Sequence, residues 1–201
     1  PSHETTNIKL IEYCAQNFDY IFFSAGASTE EEIIKAVSIL NQGKAKYELM
    51  HCVSSYPLPD DRANLTRINW LKELSPKVGL SDHTPGHSTV LGAVALGARM
   101  IEVHFTKNTN LKGPDHKVSL MPKEMIELVN KKNIILKALG QNNKTLGKHV
   151  KKMRNTFTNS IYSKMNLKKG QIITKKNIFF MKPGNGLSPF DYQKILNRRL
   201  N

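Results

Sequence analysis

The sequence predicts a parallel α/β fold of the (β/α) barrel type, on three observations. Short apolar runs alternate with amphipathic helical patterns four times over residues 8–139. Each run passes straight into Ser, His, Asp or Gly, which is where a barrel of this kind carries its reactive side chains. After Gly140 the alternation stops and the composition turns polar and basic.

The elements follow in order. Ile8 to Gln16 reads as a short helix with Thr6 and Asn7 as cap candidates. Tyr20-Ile-Phe-Phe23 is a continuous apolar run ending in Ser24-Ala-Gly26, the pattern of a buried parallel strand. Ser28 or Thr29 caps a helix through Leu40, whose first turn is rich in carboxylates. Tyr47 to Val53 is the next strand and runs into Ser54-Ser-Tyr-Pro57. Asn64 to Leu74 is helical, with Leu65, Ile68, Leu71 and Leu74 on one face. Lys77 to Leu80 is a third strand, Thr89 to Leu96 a small-residue helix closed by Gly97, and Arg99 to Phe105 a fourth strand. Pro122 opens a long helix through Leu139. Gln141 to Asn159 has no clear period and reads as a linker or extended arm. Residues 160–201 hold the apolar pieces Ile161-Tyr162, Gln171 to Thr174 and Ile178 to Met181, which suggest a small strand-rich module.

Bulk properties narrow the function. At 201 residues the chain can bury a real core, but it is shorter than a complete barrel of about 250 residues with an appendage. No apolar run approaches the roughly 18 residues of a membrane span. The start, Pro1-Ser-His-Glu4, lacks Met and any signal pattern, and reads as a cut inside a longer protein. The net charge of +14 is densest toward the C-terminal third and reads first as a solvated lysine-rich surface. Attraction of an anionic small substrate comes second. No stacking aromatics interleave with the basic pairs, so no nucleic-acid partner is expected. Cys14 and Cys52 sit in separate apolar segments and read as buried reduced thiols of a cytoplasmic protein.

The chemistry concentrates in Gly79-Leu-Ser-Asp-His-Thr84, Met100 to Thr106 and Gly113-Pro-Asp-His116. His83 and His104 would stand at the ends of neighbouring strands on one face. Together with Asp82, Glu102 and Asp115 close by, they suggest an open site for a divalent metal. His87 and His116 fall in loops, and Pro85-Gly86 breaks any helix that would align His83 with His87. The hydroxyls of Ser2, Ser24, Ser54 and Ser81 recur at strand ends, and with loop N–H groups they suit phosphate and carboxylate oxygens. No Ser-His-Asp or Cys-His nucleophile arrangement is evident.

These residues resemble the sialic acid synthase family, that is N-acetylneuraminate synthase and its legionaminic and pseudaminic acid relatives. The resemblance rests on Ser2-His-Glu4, Ser24-Ala-Gly26, His51-Cys-Val-Ser-Ser-Tyr-Pro57, Gly79 to Thr84, Gly92 to Gly97, Ile101 to Thr106, Gly113 to His116 and Lys182-Pro-Gly-Asn-Gly-Leu-Ser-Pro189, in family order. It implies the second half of a (β/α)8 TIM barrel over residues 1–140, a linker over 141–159 and a truncated antifreeze-like (SAF) domain over 160–201. The implied reaction condenses phosphoenolpyruvate with an open-chain N-acetylated amino sugar, typically N-acetylmannosamine, and releases phosphate. A divalent metal, manganese or magnesium, would hold the sugar aldehyde. By the resemblance His83 and His104 match the metal ligands. Ser24, Ser54 and Ser81 match phosphoenolpyruvate-contacting positions, with Ser2 close by. Glu4, Tyr56, Glu102 and Asp115 match sugar-side or catalytic positions.

The chain departs from the family in three places. It begins at the end of what would be the fourth barrel strand, so the first half, with its catalytic Glu and phosphate-binding Lys residues, is absent. Lys182 stands where relatives usually carry an Arg that reaches into the partner subunit's site in a domain-swapped homodimer; Lys keeps the charge and loses the planar fork. Val103 replaces a usual basic residue. Two rival readings stand beside this one. A different phosphoenolpyruvate-using barrel lyase or synthase is disfavoured by Gly113-Pro-Asp-His-Lys117. A non-catalytic module that binds polyanionic glycan or nucleic acid would show strongly salt-dependent binding to generic polyanions.

Overall fold

The computed structural model describes residues 2–141 and 145–201, and the chain divides into two compact units, residues 1–141 and 142–201. In the first unit, helix α1 (Ile8–Asn17) starts where the Asn7 side chain accepts from the Leu10 N–H at 3.3 Å. Of the two cap candidates for α2 (Glu30–Gln42), Thr29 is the one used. Its hydroxyl takes the Glu32 N–H, and the Glu32 carboxylate takes the Thr29 N–H at 2.8 Å, which closes a capping box. Helix α3 (Arg67–Leu74) begins three residues after the expected Asn64, because Asn64 sits at φ +46°, outside helical space. Helix α4 (Ser88–Ala95) is followed by Gly97 at φ +88°. Helix α5 (Pro122–Leu139) has the expected bounds, with the Glu124 carboxylate accepting from the Met121 N–H at 2.8 Å.

Four parallel strands, β1 (Tyr20–Ser24), β2 (Lys46–Cys52), β3 (Val78–Asp82) and β4 (Ile101–Val103), pair in chain order. Parallel pairing in sequence order with one helix per crossover gives the curled layer of a half-barrel. The register sets Ser24 beside Met50, Cys52 beside Ser81, and Ser81 beside Glu102. Side chains alternate along each strand. One face therefore carries Phe23, Leu49, Val78, Leu80 and Ile101 against Ile33, Val37, Ile68, Leu71 and Val90 of the helices, and this is the core. The other face carries Ser24, Met50, Cys52, Gly79, Ser81 and Glu102. Gly79 allows that face to close up: a Cβ there would lie 2.3 Å from the Met50 sulfur and 2.7 Å from the Met100 carbonyl oxygen.

Two expectations for this sheet change. The Tyr20 to Phe23 run is not buried on both sides, since Tyr20 is 37% and Phe22 49% exposed. Both project away from the helices, onto the face that no second layer covers among the described residues. The fourth strand is also shorter than Arg99 to Phe105. It ends at Val103, and Phe105 forms an isolated parallel bridge with Leu120 instead.

In the second unit, β5 (Ser160–Ser163) and β6 (Ile178–Met181) form an antiparallel pair. The expected strand piece at Gln171 to Thr174 contributes a single antiparallel bridge, Ile172 to Arg199, so the module is less strand-rich than its sequence suggests. The stretch read as a linker holds helix α6 (Lys148–Phe157), on which Val150, Met153 and Phe157 recur at helical spacing. That stripe is too thin to stand out from its lysines. Residues 142–144 of the same stretch lie outside the described residues, as does Pro1. A short helix α7 (Tyr192–Ile195) follows a turn at Pro189–Asp191. Among the described residues no helix is long and apolar enough to cross a membrane.

Leu49 is fully buried in the core, so Leu49→Ala costs about 3 kcal/mol in urea unfolding. Thr29→Ala, which opens the capping box, costs about 1 kcal/mol.

Candidate functional site

The carboxyl ends of the four strands lie along one edge of the sheet, and the loops that leave them carry the polar residues. The Ser2 and Ser54 hydroxyls are 2.8 Å apart. Ser24, Ser54 and His83 lie around the buried Cys52 thiol. Gly26 leaves room for this cluster: a Cβ there would lie 2.7 Å from both the Cys52 sulfur and the Ser54 oxygen. The ring of His83 lies 4.1 Å from that of Tyr56 and 5.3 Å from that of His104, centroid to centroid, with Tyr56 edge-on to His104 at 5.8 Å. Asp115 Oδ2 is 4.0 Å from His104 Nδ1. Ser81, Glu102 and His104 line a cavity of about 60 Å3 at the ends of β3 and β4.

The structure thus joins Ser2, Ser24, Ser54, Tyr56, Ser81, His83, Glu102, His104 and Asp115 into one continuous cluster. Glu4 is not part of it, and Lys182 lies on the other compact unit of the chain. Glu4 accepts from the Asn7 amide at 2.7 Å and lines a cleft with Phe22 and Ser24 along the β1 edge. Lys182 belongs to the second unit, where its ammonium lies 5.6 Å from the centre of the Phe157 ring.

Sequence reading missed Cys52. Its apolar segment shows no Cys-His arrangement, but the fold brings Cys52 beside His83 on the floor of the cluster. The usable signal is the two-residue period from Glu48 through Met50 to Cys52, which places the thiol on the same face as Ser24 and Ser81.

Burial and hydrogen bonding compete throughout. Burial pushes the Cys52 thiol up, but the bonds from His83, Ser24 and Ser54 outweigh it and hold it below the ordinary thiol value. Burial pulls His83 down, but Cys52, the Val53 carbonyl and Asp82 together leave it above the ordinary imidazole value. Burial raises Tyr56, and Cys52, Asp115 and Glu102 add to the rise, so its phenol stays protonated. Behind the site, burial pulls His51 down; its Nε2 donates to the Ala63 carbonyl at 2.8 Å.

His83 Nδ1 donates to the Val53 carbonyl at 2.9 Å, which puts the lone pair of the neutral ring on Nε2. A fixed imidazole beside a second one, with oxygen donors nearby, fits a divalent ion that takes its other ligands from water or substrate. Among the described residues no three His, Cys, Asp or Glu side chains converge to hold a metal.

Residues 1–144 match the NeuB family. N,N'-diacetyllegionaminic acid synthase of Campylobacter jejuni is 38% identical over 202 residues, covering 98% of this chain and 60% of that protein. Pseudaminic acid synthase of the same species is 34% identical over 200 residues, covering 98% of this chain and 58% of that protein. The crystal structure of the N-acetylneuraminic acid (sialic acid) synthetase of Leptospira borgpetersenii matches with a TM-score of 0.70 at 37% identity, over 76% of this chain and 54% of that one. The chain therefore spans well under two thirds of the length of these relatives.

Because the fold holds His51 below its ordinary value of 6.5, the folded state binds fewer protons than the unfolded chain as pH falls through that value. Its contribution to stability is present above that value and lost on acidification toward the lower folded pKa. His51→Gln keeps an N–H for Ala63, and it should flatten the slope of unfolding free energy against pH in that window.

Proposed function

The chain belongs to the NeuB family, and on that premise we propose that it supplies the strand-end half of the active site of a sialic-acid-type synthase. The reaction in this reading condenses phosphoenolpyruvate with an N-acetylated amino sugar and releases phosphate. The observation that carries it is the pairing of His83 and His104 under Tyr56, next to the serines at the strand ends.

In this reading the hydroxyls of Ser2, Ser24, Ser54 and Ser81 hold the carboxylate and phosphate of phosphoenolpyruvate. His83 and His104 would hold a divalent ion, manganese or magnesium. When bound, such an ion polarises the sugar aldehyde oxygen. The enol carbon attacks the aldehyde carbon, and the carbon–carbon bond forms as that oxygen takes a proton. Water adds at the other carbon of the former enol, the one that bears the phosphate oxygen, and phosphate leaves with cleavage of the bond between that oxygen and that carbon. In this reading Glu102 and Asp115 move these protons and the protonated phenol of Tyr56 orients the sugar, which is supported by the cavity Glu102 shares with His104 and by the 4.0 Å contact of Asp115 with His104. Glu4 joins them once the β1 edge is covered by the rest of the barrel.

The second unit is read as part of an antifreeze-like domain, with Lys182 reaching a partner subunit's site in a homodimer. The two free cysteines agree with a reducing cytoplasmic compartment. Legionaminic and pseudaminic acid precursors are candidate sugars alongside N-acetylmannosamine, because relatives named for those products match over nearly the whole chain.

The complete protein, assayed with manganese, phosphoenolpyruvate and each sugar in turn, should release phosphate with one of them. His83→Ala and His104→Ala should each cut that rate by about 100-fold or more. Residues 1–201 alone should release none; turnover by this piece would overturn the reading that it is half of a site.

A further inference from the structure

The turn from β3 to α4 places consecutive side chains on opposite sides. Ser81 and His83 face the site, and Asp82 between them points toward the helices. Asp82 is 6% exposed, and its hydrogen-bond partners are an amide and hydroxyls instead of a cation. Its Oδ1 accepts from the Thr84 N–H at 3.1 Å and the Thr84 hydroxyl at 3.0 Å. Its Oδ2 accepts from the Thr84 hydroxyl at 3.0 Å and the Thr89 hydroxyl at 2.9 Å. The two threonine hydroxyls also contact each other, and both residues are buried. A carboxylate buried among neutral donors is an expensive way to fill space, so its value must lie in the geometry it imposes.

We propose that Asp82 is a positioning residue that aims His83 at the metal. Side chains alternate along a strand, so fixing Asp82 to Thr84 and Thr89 on the helix side fixes its neighbours on the other. The clamp ties the strand end to the first turn of α4. It completes a set of three restraints on His83: the ring is held by the Val53 carbonyl at 2.9 Å, the main-chain oxygen by the Leu58 N–H at 2.9 Å, and the preceding side chain by the threonines. The Leu58 contact also couples the turn to the loop that carries Tyr56. Outer-sphere groups that orient a metal-bound histidine in this way commonly change metal affinity 10- to 100-fold when removed.

This inference rests on the reading of His83 as a metal ligand, and the experiment separates the two. Binding of Mn2+ to the complete protein is titrated by electron paramagnetic resonance. His83→Ala should abolish tight binding; if it leaves the affinity unchanged, the ligand reading fails and this proposal with it. With that control in place, Asp82→Ala should raise the Mn2+ Kd about tenfold. Asp82→Asn keeps an acceptor for the Thr84 amide and should stay within about threefold of the parent. Thr89→Val preserves shape, removes one donor and serves if Asp82→Ala does not fold; it should weaken binding about threefold. Val90→Ala, a buried neighbour outside the clamp, should lower the melting temperature and leave the Kd alone. In 15N spectra of the imidazoles, Asp82→Ala should convert His83 from a fixed Nδ1–H form to a tautomer mixture. Folded Asp82→Ala or Thr89→Val with a parent-like Kd and an unchanged tautomer would overturn the positioning role.

Discussion

Parallel register is the constraint on which the site depends. Strands that all run the same way bring all their carboxyl ends to one edge, so the loops after β1, β2, β3 and β4 start side by side. The two-residue period then decides which side chain at each end faces the site: Ser24, Cys52, Ser81 and Glu102 lie in neighbouring register positions of one surface. A slip of one residue in β3 would send Ser81 into the helices and bring Asp82 to the site. The core guards against that slip, because Val78 and Leu80 fill the space between sheet and helices and cannot exchange places with Gly79 and Ser81.

Function and stability are thus written on opposite faces of the same strands. The helix side is packed with Ile33, Leu49, Ile68 and Leu71, and its rim at the carboxyl ends of the strands is polar, where His51 holds the Ala63 carbonyl and Asp82 gathers Thr84 and Thr89. That rim pins the loops from behind. The site side has few apolar contacts of its own and owes its order to hydrogen bonds: serine to serine, thiol to imidazole, imidazole to carbonyl. Burial there disfavours charge on His83 and on Cys52, and their neighbours, Ser24 and Ser54 for the thiol and Val53 and Asp82 for the imidazole, join their mutual contact in reversing both tendencies.

Most of the strand–helix alternation was legible because each element carries a local signal. Pro122 and Gly140 bound α5, Thr29 and Glu32 announce α2, and the apolar runs mark β1 and β2. Less legible features were those set by partners distant in sequence. Nothing local shows that Tyr20 and Phe22 face an uncovered side, since the run Tyr-Ile-Phe-Phe reads the same whether one face or two are covered. The start of α3 moved because Asn64 adopts a left-handed conformation fixed by its loop. The contact of Cys52 with His83 joins residues from different strands and needs the register to be seen. In the second unit, α6 was hidden by its lysines, and Gln171 to Thr174 looked like a strand but forms one bridge. Glu4 and Lys182 were singled out by family likeness alone, and their contacts here are with Asn7 and Phe157.

The free edges of β1 and β4 and the exposed aromatics beside them bear on how this layer behaves in a crowded solution. Among the described residues the outer hydrogen-bonding groups of both edge strands meet no other strand, and Tyr20 and Phe22 lie beside one of them. An edge of this kind pairs with whichever extended segment arrives first. If the proposed barrel is right, docking of its covering strands and indiscriminate self-association would draw on the same surface, and the yield of native protein would become a race between a unimolecular and a bimolecular event. Dilution, slow synthesis or a chaperone that shields the aromatics would favour the first; a burst of expression would favour the second.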